Sequence, residues 1–526
     1  MNLGDAPLTP APIVWEPMLP MIIVFVTGVL CMCVEMLRPK QTNNLIVVLS
    51  LAGLAVAGAL IVLDWTAAVF HQPPSEFFGV RFGGSPEEAG GGLFIHDRFG
   101  QSVQLILIAS TFITILFSEG YLRERRIPFG EYYPLVLWSA VGGMIMASTR
   151  DLMIFFLGLE TLSIALYVLA GLNSKEKRSQ EAALKYFLLG AFASSFLLFG
   201  IALIYGATGT THILGIPMLM NHASADPTAG KILIGGIAMV LIGFGFKAAL
   251  VPFHMWTPDV YQGAPTTVTA FMAAGSKAAA FGALVRFVGA ITQPELIDAW
   301  LPALAIVAVL TMTVGNLIAL AQRDAKRIIG YSSIAHAGYL LVAVVAWAHS
   351  RGSIGLDTVV YYLGAYSITT IGAFAVLSLT AKAGREGTQL EDYNGLWKRA
   401  PFAAAAMIVF MASLAGVPPT GGFVGKLLIF KDALDQDYTW LAIALGINSV
   451  LSVFYYLRIV FAVCVDEPDE RRSQFAKPNA GMLTAAGACA LAVLAMGVFT
   501  SAVLQTMGLS LPAESGSASR SVAQKP

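Results

Sequence analysis

Residues 243–261 read GFGFKAALVPFHMWTPDVY, which places Lys247 inside an apolar run and follows it closely with Pro252, His254 and Pro258. A proline removes a backbone donor, and its ring clashes with the preceding turn, so the helix carrying Lys247 is expected to break just after it. A second interruption lies in AGVPPTGGFVGKLLIF, where Gly416, Pro418, Pro419, Gly421 and Gly422 precede Lys426. Each break has a lysine beside it.

Composition explains why those breaks matter. The chain has 526 residues, 56% of them hydrophobic and only 12% charged, with a mean hydropathy of +0.72. Soluble domains carry about 25% charged residues, so this is a polytopic membrane protein. At membrane depth, broken backbone is tolerated only where it is buried or lines a cavity. A net charge of zero gives no sign of nucleic-acid binding. The N-terminal stretch MNLGDAPLTPAPIVWEP lacks a basic n-region and a small-residue cleavage site, so no removed signal peptide is expected.

A span needs about 20 apolar residues. Such runs lie near 17–37, 43–63, 99–118, 131–148, 152–172, 181–205, 231–252, 265–290, 297–320, 327–347, 358–381, 401–430, 439–464 and 480–504. Basic residues crowd alternate loops: Arg38 and Lys40; Arg123, Arg125 and Arg126; Lys175, Lys177 and Arg178; Arg323, Lys326 and Arg327; Lys382, Arg385, Lys398 and Arg399; Arg471, Arg472 and Lys477. The opposite side has fewer, namely Arg81, Arg98, Arg150, Lys231, Arg351, Lys431, Arg520 and Lys525. Because basic residues concentrate on the cytoplasmic side, both termini are expected to face outward.

The expected fold is therefore an all-α polytopic membrane protein with about fourteen transmembrane helices. Spans four to eight form a five-helix unit whose fourth member is broken, and spans nine to thirteen form another. Five is odd, so the second unit enters from the opposite side, which makes the pair an inverted repeat of the kind found in transporters. The expected divisions are 1–126, with three helices and an outer loop; 127–292, the first repeat; 293–466, the second; and 467–526, the last helix and a polar tail.

Six basic residues remain inside spans: Lys185, Lys247, Lys277, Arg286, Lys426 and Arg458. Of the carboxylates, Glu160 sits mid-span and Glu35 lies at a helix end, one turn from Arg38. A charge at the bilayer centre costs about 2.5–3.5 kcal/mol on insertion scales, so such residues usually face a protein interior or a water-filled path. Arg286 and Arg458 lie near helix ends and are expected to snorkel; Lys185 is about one turn into its helix; Lys247, Lys277 and Lys426 are too deep for that. Together the buried charges suggest a relay, with Glu160 as the countercharge to Lys185 or Lys247. The bland alternatives are a buried ion pair for Glu160, a satisfied core histidine for His336, and a cap on exposed carbonyls for His254.

No nucleotide-binding glycine motif is present, and Cys31, Cys33, Cys464 and Cys489 lack the spacing of an iron–sulfur site. No redox centre is therefore expected in this chain. Sodium, a hard cation, wants several oxygen ligands, whereas this interior offers one carboxylate among lysines and a histidine. A desolvated lysine exchanges protons, so protons fit better.

The stretch FKAALVPFHMWTPDVYQGAPTTVTAFMAAGSKAAAF, with FFLGLETLS, EAALKYFLLGAFASS, AKRIIGYSSIAHAGYLL and GVPPTGGFVGKLLIF, resembles the proton-conducting antiporter-like subunits of respiratory complex I over about residues 20–505. The resemblance places the family's mid-span glutamate on Glu160 and its lysines on Lys185, Lys247, Lys277 and Lys426, with His336 a further relay candidate. Lysine at 426 and the lack of a long lateral helix after the last spans point to the N-type branch. The resemblance implies proton translocation in a bacterial inner membrane as a non-redox module of an NADH:quinone oxidoreductase. It also implies other antiporter-like and small membrane subunits as partners, and FMN, iron–sulfur clusters and quinone held by partner subunits. A multisubunit sodium/proton antiporter subunit and a non-conducting scaffold remain open alternatives.

Overall fold

The computed structural model describes residues 18–37, 44–69, 75–77, 80–82, 93–95, 97–127, 130–213, 215–216, 227–292, 294–352, 354–379, 381–382, 385–467 and 479–507. Arg38, Lys40, Arg471, Arg472, Lys477, Arg520, Lys525 and the polar tail lie outside the described residues. Among the described residues the chain is helical apart from two short antiparallel pairs, Ser75–Phe77 with Val80–Phe82 and Ala381–Lys382 with Arg385–Glu386.

A helix forms at every expected span. Among the described residues twelve helices are long and apolar enough to cross a membrane, and two shorter apolar ones, Tyr132–Ser148 and Pro401–Ala415, stand at the fourth and twelfth positions. Their starts follow from capping residues. Asp151 accepts from the amides of Met153 (2.8 Å) and Ile154 (3.1 Å) and opens Leu152–Ala170. Asp324 opens Ala325–His349 by accepting from the Arg327 amide at 3.1 Å. Each cap satisfies donors that the first helical turn leaves without partners.

Boundaries differ from expectation in instructive places. The third helix runs on to Arg125, and Arg126 ends it with a φ of 53°. The sixth begins at Lys177, so Lys185 lies about two turns inside it rather than one. The last expected span divides into Ala480–Val498 and Thr500–Met507.

Both expected breaks are present. Pro227–Ala248 stops one residue after Lys247, Ala249 takes a φ of 62°, and the chain resumes as Trp256–Gly263. Pro401–Ala415 stops at Gly416, whose φ of 85° suits a residue without a Cβ, and the chain resumes as Gly421–Asp435 with Thr420 as its cap. In element order, three helices, a broken helix and one more helix occur twice, over 132–290 and over 294–464.

Burial shows which helices are central. Thr266–Ala290 is buried along its whole apolar window, and Ala325–His349 and Leu356–Leu377 nearly so. A π-helical turn, Met272–Ser276, interrupts the first of these immediately before Lys277. The outer helices keep large apolar side chains such as Phe187, Phe192, Phe199 and Phe454 exposed, as hydrocarbon or neighbouring membrane helices require.

Candidate functional site

Glu160 stands on Leu152–Ala170 and is half-buried. Its carboxylate accepts a hydrogen bond from the Ser194 hydroxyl and makes no direct ion pair with Lys185 or Lys247. One turn further along the same helix, Ser163 accepts from the Lys247 ammonium at 2.8 Å. Tyr186 accepts from the same ammonium at 3.0 Å. The lysine is only 4% exposed, so a serine and a tyrosine form its direct coordination in place of a carboxylate. A narrow cleft bounded by Ser163, Tyr167, Ser194 and Lys247 runs from the Glu160 hydroxyl partner to the lysine. Glu160 is therefore linked to the cleft beside Lys247 through Ser194 and not by direct contact.

Lys185 turns the other way. Its ammonium lies 2.6 Å from Glu181 and 2.6 Å from Asp259, and 40% of its side chain is exposed. The second oxygen of Asp259 is held by Arg327 at 2.6 Å. Arg327 also donates to Gln262 at 3.2 Å and to Gln322 at 3.1 Å, and Gln262 in turn donates to Asp324 at 2.6 Å. The short helix after the first break is thus tied on one side to the Lys185 helix and on the other to the start of the His336 helix. Asp259 and Arg327 were not singled out in the sequence. The only signal was the proximity of Asp259 to the break.

The second half of the buried path is built on aromatic rings. The Lys277 ammonium lies 5.2 Å from the centre of the Tyr366 ring, and Tyr366 is 5.0 Å from the His336 ring. On the other side, His336 is 5.3 Å from Tyr339, whose ring lies 5.1 Å from the Lys426 ammonium. His336 sits at the middle of this chain, 2% exposed. Its Nδ1 meets the Tyr362 hydroxyl at 2.6 Å and its Nε2 the Tyr456 hydroxyl at 2.9 Å, and Tyr456 continues to Ser332. Lys277 donates to the Ser333 carbonyl. Lys426 donates to the carbonyls of Leu414 (2.8 Å) and Ala415 (3.1 Å), which the second break leaves without helical partners. Among the described residues neither lysine has a carboxylate within ion-pair distance. Ring faces attract ammonium groups and so offset part of that burial.

Arg286 and Arg458 differ from expectation. Arg286 does not snorkel: it is clamped on Asp97 by two bonds of 2.6 and 3.0 Å and also donates to the Ala147 carbonyl. Burial works to raise the Asp97 carboxyl, but Arg286 holds it below the usual range. Arg458 reaches the Leu320 carbonyl at 2.7 Å, at a helix C-terminus. His254 is half-buried; among the described residues its Nδ1 has no hydrogen-bond partner, while the Pro252 backbone lies within hydrogen-bonding reach of the ring.

Glu386, which was not singled out in the sequence, accepts from Tyr121 at 2.8 Å, from Thr266, and from Lys326 at 3.1 Å. Burial works to raise its carboxyl, yet Lys326 and Arg125 hold it below the usual range. Lys326, expected in a solvated basic loop, is 1% exposed.

Chemically, the two halves offer groups that both give and accept protons: lysine, imidazole, and tyrosine and serine hydroxyls. Among the described residues the Ser367 hydroxyl is buried without a hydrogen-bond partner, the pattern of a group that bonds to buried water. Lys277 and Lys426 approach His336 from either side through the Tyr366 and Tyr339 rings, and like charges close together in a buried site oppose one another.

A family model described as NADH:quinone oxidoreductase/Mrp antiporter, TM, matches residues 148–452. The chain is 41% identical over 489 residues to a Trichlorobacter lovleyi protein named NADH-quinone oxidoreductase subunit N, covering 93% of this chain and 94% of that one. It is 38% identical over 507 residues to a Chloroflexus aggregans protein of the same name, covering 96% and 98%. Among solved structures, a chain of respiratory complex I from Thermus thermophilus superposes with a TM-score of 0.76 at 34% identity, covering 94% of this chain and all of that one. A chain of the Mrp complex from Dietzia sp. DQ12-45-1b superposes equally well, at 0.76, with 23% identity over 94% and 97% of the two chains, a likeness of fold.

Proposed function

The chain belongs to the NADH:quinone oxidoreductase/Mrp antiporter family of membrane proteins, and on that premise we propose that it is a proton-translocating membrane-arm subunit of an NADH:quinone oxidoreductase. The observation that carries this reading is the buried series Lys277, Tyr366, His336, Tyr339 and Lys426, with hydroxyls on both ring nitrogens of His336. Protonated groups repel a metal cation, whereas imidazole and hydroxyls hand protons on. The sodium/proton antiporter reading is weaker, because the relatives that cover nearly the whole chain at about 40% identity carry the oxidoreductase name.

In this reading the units 127–292 and 293–466 each hold half of the path. The first uses Glu160, Lys247 and, at its edge, Lys185; the second uses Lys277, His336 and Lys426. A proton reaching Lys247 passes toward Tyr186 or Ser163, which bond its ammonium directly. Movement onto Lys277 is then opposed by charge on His336 and favoured once that charge has left. The chain acts as a non-redox translocase in a bacterial inner membrane, beside other antiporter-like and small membrane subunits. FMN, iron–sulfur clusters and quinone belong to the partners, whose redox chemistry drives the relay.

The test compares NADH-driven proton uptake into inverted membrane vesicles for the native complex and for His336→Phe. The variant is expected to assemble, to keep NADH oxidation by artificial acceptors, and to lose most of its coupled proton uptake. Normal uptake by an assembled variant would falsify the path, and sodium-dependent exchange without NADH would move the chain to the antiporter class.

A further inference from the structure

A cleft of about 260 Å³ opens on the outer surface of the bundle between Pro227–Ala248 and Pro294–Ala321. Its walls include Ile234 and Gly245 on one helix and Trp300 and Val307 on the other, and Leu250 and Phe253 of the first helix break close its inner end. Every residue that lines it is apolar. From Ile234 to Gly245 the helix rises about 16 Å, roughly half of a hydrocarbon core of about 30 Å. The cleft therefore has the reach of one leaflet.

Three occupants are conceivable, and the geometry separates them. Water needs two to four polar partners, and much of the broken backbone at the inner end is already engaged. Its amides are taken internally: Ala249 donates to Phe246 at 3.1 Å, Leu250 to Gly245 at 2.7 Å, and Val251 to the Thr311 hydroxyl at 3.0 Å. Residue 252 is a proline and has no donor. A partner helix, with a diameter of about 10–12 Å, is too wide to enter such a volume. A single hydrocarbon chain fits both its length and its chemistry.

The mouth shows what kind of molecule would carry that chain. Lys231 is exposed one turn before Ile234 and on the same helix face, so the apolar stripe is headed by an ammonium. Across from it, the Trp300 indole donates to the Ile291 carbonyl at 3.1 Å, an arrangement typical of a membrane–water boundary.

We propose that this cleft is a phospholipid site, in which one acyl chain fills the groove down to Leu250 and Phe253 while the phosphate sits by Lys231. The chain then covers the lipid-facing back of the break whose opposite side presents Lys247 to Ser163 and Tyr186. The site is independent of the proposed proton path.

Native mass spectrometry of the intact membrane complex, after stepwise delipidation, tests it. Ala238 and Ala303 both line the cleft and are exposed, so Ala238→Phe and Ala303→Phe fill it from opposite walls without entering the core. Each variant is expected to retain one phospholipid fewer per chain, and Lys231→Gln to weaken retention by at most about fivefold, the range of an exposed charge pair. An unchanged phospholipid count in either assembled Phe variant would overturn the proposal. So would the loss of a quinone mass in place of a phospholipid, or a cross-link from position 238 to a neighbouring subunit.

Discussion

Lys185 is bonded to Asp259 at 2.6 Å, while the Glu160 carboxylate takes the Ser194 hydroxyl instead. Asp259 binds Arg327 with its other oxygen at the same distance, so one carboxylate joins the Lys185 helix, the segment after the first break and the helix that carries His336. A charge change at Lys185 is therefore felt on both sides of the break.

Asp259→Asn keeps the shape and removes the charge that Lys185 and Arg327 share. With 36% of the Asp259 side chain exposed, the stability cost should stay near or below about 1 kcal/mol. Coupled proton uptake should fall severalfold, and Asp259→Glu should restore part of it. The check is a double-mutant cycle with Lys185→Gln on assembled complex. Strict additivity of the two losses would show that the pair does not act together.

Lys247→Ala removes an exchange site, and Lys247→Arg leaves a charge that cannot be given up, because guanidinium stays protonated in proteins. Both should abolish most NADH-driven uptake. An assembled Arg variant that pumps normally would reduce Lys247 to a fixed charge holding a broken helix.

Glu160→Gln preserves volume and the contact to Ser194 while deleting the carboxylate charge linked to the cleft beside Lys247. Coupled quinone reduction should drop while NADH oxidation by artificial acceptors continues. Ser194→Ala, which leaves the carboxylate charged, should have the smaller effect, and the reverse order would count against the electrostatic role.

Asp97→Asn should lower thermal stability by about 1–3 kcal/mol, between the values of exposed and buried ion pairs, since Arg286 is 9% and Asp97 27% exposed. The sign of the pH dependence follows from the depressed carboxyls of Asp97 and Glu386. Their contribution is fully present above the unfolded values of about 3.9 and 4.3, and it is lost as pH falls through the lower folded values. Melting curves of the purified complex between pH 7 and pH 3 should show less acid loss in Asp97→Asn than in the native chain.

The sequence alone determined the membrane class, the fourteen helix positions, the two breaks and the depth of Lys247, Lys277 and Lys426. Hydropathy and proline act locally, so one strand of text contains what they decide. It misjudged direction where a long side chain had several carboxylates in reach: Glu160 is expected opposite Lys185 or Lys247, whereas Lys185 meets Asp259, and Arg286 is expected at the interface, whereas it meets Asp97. Periodicity places a residue on a face but does not say which neighbour the face meets. Only the tertiary structure brought Asp259 to Lys185 and Arg327, Glu386 to Lys326, and Tyr366 to His336. These partners lie 30 to 74 residues apart in the chain, and burial is what selects them. A charge or imidazole taken out of water must find a partner nearby in space, wherever in the chain that partner happens to be.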